Sequence, residues 1–205
     1  MIIQTLVEGE GEERAVPILL RRFREVSGAF SVDFGRPIRK HRSELVNEGP
    51  LRRAVQVALR QERGCDGILV LFDADKDCPK ELVLQAQAWA RAEAGRTPCE
   101  IVIAHHEYEA WFLGALESLR DRRNVRPDAV SHTDPESMRG AKEKLRSSML
   151  RSYSETLDQP ALTALFDLAA AYRSCRSFRR MVHAFGRLAA AAGAELGEWP
   201  PSTWF

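Results

Sequence analysis

The sequence predicts an α/β protein: a four-stranded, mainly parallel sheet flanked by helices, with a C-terminal helical extension. Three observations predict the α/β class. Short apolar runs alternate with helix-period segments four times over the first ~120 residues, the pattern of a parallel sheet with crossover helices. The run Gly67–Phe72 is apolar without alternation, as a strand buried on both faces requires. Beyond that region strand-like runs cease and helical periodicity takes over. The expected division is an α/β core over residues 1–119 and a helical extension over 120–205 packed on it.

In order, Ile2–Val7 is the first strand-like run, ended by Glu8-Gly9-Glu10-Gly11. From Glu12 to Val26 the residues Ala15, Val16, Ile18, Leu19, Phe23 and Val26 recur at helical spacing, with Pro17 near the start. Phe30–Phe34 alternates like a second strand, and Gly35–Arg42 is a basic, proline-containing connection. Asn47 is an N-cap and Pro50 a first-turn residue for a helix reaching Arg63, with Leu51, Val55, Ala58 and Leu59 inward. Gly64 stops it, and the third strand runs to Asp73. Pro79 opens a helix to Ala94, striped by Leu82, Ala86 and Trp89 and ended by Gly95. Ile101–Ala104 is the fourth strand, and Ala110–Leu119 a helix. Asp121–Pro135 is a polar loop. Glu136–Ser148, Pro160–Ala171 and Cys175–Ala192 are the expected extension helices.

Composition narrows the function. With 44% hydrophobic and 29% charged residues the chain can bury a sizeable core. A net charge of +1 argues against a globally basic nucleic-acid binder while leaving room for a local basic groove. Cys65, Cys78, Cys99 and Cys175 have neither disulfide nor zinc spacing. The first apolar run meets Glu8 too early for a leader, and no run is long enough for a membrane span. A cytoplasmic protein is expected.

The chemistry gathers where strands end. Asp73 and Asp75, two apart in extended chain, project together at a strand's carboxyl end, where open α/β sheets bind ligands. Glu8 follows the first strand, and Glu107 and Glu109 the fourth. Acids converging from several strands need positive charge, and oxygen donors suit Mg²⁺ or Mn²⁺. Two such ions ~4 Å apart activate water and stabilise a leaving oxygen in phosphodiester cleavage. Of His105 and His106, neighbours that face opposite ways, one at most is expected to reach the site. Arg173, Arg176, Arg179 and Arg180 form a helical stripe suited either to a nucleic-acid backbone or to solvent. Gly9-x-Gly11 is no dinucleotide fingerprint, since Arg14 stands where the third glycine would.

Leu6-Val7-Glu8-Gly9-Glu10-Gly11-Glu12 followed by a helix, then Phe72-Asp73-Ala74-Asp75, resembles the Toprim domain of topoisomerases, bacterial primases and OLD (overcoming lysogenization defect) nucleases. The combination of Val7-Glu8-Gly9, Glu107-Tyr108-Glu109-Ala110-Trp111 and Ser177-Phe178-Arg179 is similar to a Toprim-like family of about this size, often encoded beside ATPases. The resemblance implies that Asp73 and Asp75 hold a metal while Glu8 bridges or acts as general base. It matches Glu12 to an acid of the nuclease branches, with Glu107 or Glu109 to complete a second metal site. By the OLD likeness, Lys142 or Lys144 supplies the basic residue that stabilises the transition state. The implied function is a Mg²⁺-dependent DNA or RNA endonuclease, with a partner ATPase and a role in phage defence. Two other readings stand beside it: a small-molecule phosphatase or nucleotidyltransferase, and a non-catalytic adaptor or sensor. Position 77, an Asp, disfavours the haloacid-dehalogenase motif. Nothing in the residues sets an oligomeric state.

Overall fold

A computed structural model describes residues 1–205. Its centre is a parallel sheet of β1 (Ile2–Val7), β2 (Asp33–Phe34), β3 (Ile38–Arg39), β4 (Gly67–Asp73) and β5 (Cys99–Ala104). The order is β2-β1-β4-β5, with β3 also on the outer edge of β1. Register is continuous from Ile3↔Gly67 to Val7↔Leu71, and from Ile68↔Cys99 to Asp73↔Ala104.

Helices cover both faces, as the unalternating run of β4 requires. Ile68, Val70 and Phe72 point to one side, where α3 (Glu48–Leu59) and α4 (Pro79–Ala94) supply Leu51, Val55, Ala86 and Ala90. Leu69 and Leu71 point to the other, where α1 (Glu10–Ser27) and α9 (Arg176–Ala191) supply Val16, Leu19, Phe23, Phe185 and Leu188. Three acids occupy the first turn of α1, Glu10, Glu12 and Glu13, where the helix dipole favours negative charge. Gly28, at φ +72°, ends it in the left-handed conformation that favours glycine. Between these lie α2 (Arg42–Leu45), α5 (Ala110–Gly114), α6 (Ala141–Ser147), α7 (Glu155–Thr163) and α8 (Leu168–Ser174). No helix is long and apolar enough to cross a membrane.

Five element boundaries depart from expectation, the simplest being α3, which stops at Leu59 rather than Arg63. The second strand is not Phe30–Phe34: Phe30 is exposed, and two short segments pair with β1 instead. Pro37 lacks an N–H for the ladder, and at Gly35 a Cβ would collide with the Gln4 side-chain amide, so the chain bulges between them. The expected helix Pro160–Ala171 is two helices, with Pro160 inside α7. The Thr156 carbonyl that Pro160 cannot serve accepts from Arg14 Nη1 at 3.3 Å, and Asp167 starts α8 afresh by accepting from Ala170 N at 2.9 Å. Glu136–Ser148 divides at Gly140, φ +71°, into a single 3₁₀ turn and α6. Ala110–Leu119 likewise tightens into a 3₁₀ turn after Gly114.

Candidate functional site

The strand order places the site. From β1 the chain moves outward to β2 and β3, then crosses back over β1 to β4. The reversal lies between β1 and β4, and at their carboxyl ends such a switch point opens a crevice. Glu8 follows β1 there, Asp73 ends β4, and Asp75 and Glu107 follow the ends of β4 and β5.

Glu8 Oε2 accepts from the Asp73 amide at 3.3 Å. Burial pushes its carboxyl up, as do Asp75 and Glu12, against the opposing pull of that amide and of Arg42. Asp73 Oδ1 accepts from Tyr108 N at 3.0 Å. Its carboxyl lies well above the usual range because of burial and the surrounding charges of Glu12, Glu109, Glu8 and Asp75. Five acids are therefore electrostatic neighbours.

Glu12 is buried in the first turn of α1, its carboxylate folded over Gly9 where any Cβ would collide with it. Gln159 Nε2 of α7 donates to it at 3.4 Å. Gly11 allows the close approach of α7, since a Cβ there would strike Gln159.

Glu107 and Glu109 play different parts. Glu107 Oε2 accepts from Lys142 N at 2.8 Å and so docks the start of α6. Glu109 is 1% exposed and accepts from Tyr153 Oη at 2.8 Å. Burial pushes it up to about 7 despite Lys142 and the Tyr153 hydroxyl. Lys142 and Lys144 separate cleanly. Lys142 Nζ pairs with Glu155 at 2.8 Å; burial opposes its charge, but Glu155, Glu109 and Asp73 outweigh that and raise it. Lys144 is exposed to solvent.

Arg42, which in sequence is one cation of a basic connection, organises the loop after β4. Its guanidinium donates to the carbonyls of Asp73 and Ala74, and pairs with Asp75 at 3.2 Å and Asp77 at 2.5 Å. Asp75 and His106 both have positive φ, +51° and +66°. They are joined by Asp75 N donating to the His106 carbonyl at 3.1 Å and by His106 Nδ1 at 2.9 Å from the Asp75 carbonyl. Such backbone costs of order 1 kcal/mol per residue and concentrates at functional sites. The two histidine rings stack 4.4 Å apart, and only His106 of the pair lines the cleft on this loop.

A cleft of about 440 Å³ opens on this loop, lined by Arg42, Asp75, Asp77, His106, Glu107 and Arg139 among others. Glu8, Glu12, Asp73 and Glu109 are not in its wall. The acids offer only carboxylate oxygens, the donor type hard divalent cations take, and burial with the neighbouring charges raises Asp73. As they stand, no three His, Cys, Asp or Glu side chains come together closely enough to hold a metal ion.

Glu136, Tyr153, Glu155 and Gln159 carried no signal in the sequence, because each acts through a partner 12 or more positions away. The late Ser177-Phe178 was legible as a motif, and the fold shows its contact. Trp111 Nε1 donates to Ser177 Oγ at 2.7 Å, and the Trp111 and Phe178 rings meet at 5.2 Å.

Residues 7–185 match the model of a family described as "Domain of unknown function (DUF4276)". No curated protein and no solved structure matches the chain.

Proposed function

The chain belongs to the DUF4276 family, and from its acid cluster we propose a metal-dependent phosphodiesterase of Toprim type, acting as a DNA or RNA endonuclease. One observation carries this reading. At the switch point of a parallel sheet, burial and the charges of Glu12, Glu109, Glu8 and Asp75 all push the Asp73 carboxyl upward. Held by Asp73, Asp75 and Glu8, with Glu12, Glu107 or Glu109 completing a second site, Mg²⁺ or Mn²⁺ would supply charge neutralisation and an acidified water.

The chain's own groups do the rest. Glu8, whose raised carboxyl makes it a stronger base, takes a proton from the attacking water. A new P–O bond forms as the ester P–O bond breaks, and the leaving oxygen takes a proton from bulk water, giving a phosphomonoester and a free hydroxyl. Lys142, kept protonated by Glu155, Glu109 and Asp73, offsets the charge that gathers on the phosphoryl oxygens. Arg42 holds the Asp73–Asp77 loop in place. The resemblance adds an ATPase partner and phage defence.

A non-catalytic adaptor is the second reading. It is favoured by the internal pairing of Arg42 with Asp75 and Asp77 and the lack of three such side chains close enough to hold a metal ion. The experiment is cleavage of mixed DNA and RNA with Mg²⁺ or Mn²⁺, beside a chromogenic phosphate monoester. The nuclease reading expects cleavage lost in EDTA and reduced at least 1000-fold in Asp73→Asn, Asp75→Asn. Turnover of the monoester alone would replace it with a phosphatase, and no turnover of any substrate would favour the adaptor.

A further inference from the structure

The segments that line the first cleft continue into a second. Asp75–Asp77 give way to Cys78, Pro79 and Lys80, and His106 to His105, around a cleft of about 250 Å³ closed by Glu136, Arg176, Ser177 and Arg180. The stacked rings of His105 and His106 join the two.

Charge in this second cleft is unbalanced. Lys80, Arg176 and Arg180 have no ion-pair partner. The single acid in the wall, Glu136, is committed to the start of α9, accepting from Arg176 N at 2.7 Å, from Ser177 N at 2.8 Å and from Ser177 Oγ. Three full cations thus face one carboxylate that is already hydrogen-bonded three times. The α4 N-terminus, which has no side-chain cap, adds its dipole from the same wall. Lys76 and Arg139, also without ion pairs, extend the positive strip into the first cleft. Apart from His105, the second cleft has no aromatic side chain on which a base could stack.

The geometry points to a phosphate-binding subsite formed by Lys80, His105, Arg176 and Arg180, which holds a nucleic-acid backbone phosphate next to the one cleaved at the acid cluster. The inference deepens the proposed function and rests on it for the nature of the substrate. Guanidinium forks suit phosphate oxygens, and a wall without stacking platforms contacts backbone rather than base. The subsite therefore sets grip and register, not sequence preference.

The test is anisotropy of labelled single-stranded DNA and RNA 20-mers in EDTA, across a salt series, for wild type, Arg176→Gln/Arg180→Gln and Lys80→Gln. Removing one cation from a bound phosphate lowers the slope of log K against log salt by about 0.7. The double variant is expected to bind DNA and RNA alike about tenfold more weakly with a slope lower by roughly 1.4, its melting temperature unchanged. Lys80→Gln gives a smaller loss in the same direction. Wild-type affinity and slope in both variants would overturn the subsite, even where metal-dependent cleavage stands. Absence of oligonucleotide binding by wild type would overturn it too. Loss of binding in the variants with no cleavage by wild type would leave the subsite in place and remove the nuclease reading.

Discussion

Glu109 is the residue whose environment makes the plainest demand. Its carboxyl ionises near 4.5 in an unfolded chain but only at about 7 in the fold, because it is buried. Between those values the folded protein holds a proton the unfolded chain has lost, so stability falls as pH rises through the window and is level above it. Glu8 and Asp73, also raised, act with the same sign. In metal-free buffer, Glu109→Gln should flatten the decline between pH 4.5 and 7 by up to about 3 kcal/mol, measured by urea unfolding at stepped pH. An equally steep decline in the variant would show that Glu109 is not its source. The same charges separate the lysines. Lys142→Gln should cut turnover at least 100-fold with little change in KM, whereas Lys144→Gln should leave kcat within about twofold.

At the scale of elements, α9 depends on a distant acid. Glu136 takes up its first two backbone amides and the Ser177 hydroxyl, and Ser177 in turn receives Trp111. Glu136→Ala would leave those donors buried and should cost about 2 kcal/mol, roughly 5 °C in melting temperature for a chain of this size. Glu136→Gln, which keeps one acceptor, should lose less. The approach of α7 to α1 depends on Gly11 in the same way. Gly11→Ala should displace Gln159 from Glu12, seen as reduced activity in a protein that still folds.

The whole molecule is a sheet with two helical faces, and one is completed by the last third of the chain. Leu188 and Phe185 of α9 pack in the same core as Leu69, Leu71 and Val102. Residues 1–119 alone would expose that face, an apolar patch too large for a stable monomer. Expressed alone they should aggregate or lack a cooperative unfolding transition by circular dichroism; a sharp transition would refute this.

The α/β class, the three long strands β1, β4 and β5 and the acids Glu8, Asp73, Asp75, Glu107 and Glu109 at strand ends were legible in the sequence. Local periodicity and strand-end position carry that information, because backbone hydrogen bonding and side-chain alternation act over a few residues. Tertiary structure alone decided the rest. That Lys142 rather than Lys144 meets the acids, that Arg42 clamps the loop, and that Glu109 turns inward to Tyr153 all follow from contacts between segments 30 or more residues apart. Even the gathering of the acids needed the strand order β2-β1-β4-β5. Position along the chain does not say which strands become neighbours; burial of both sheet faces does.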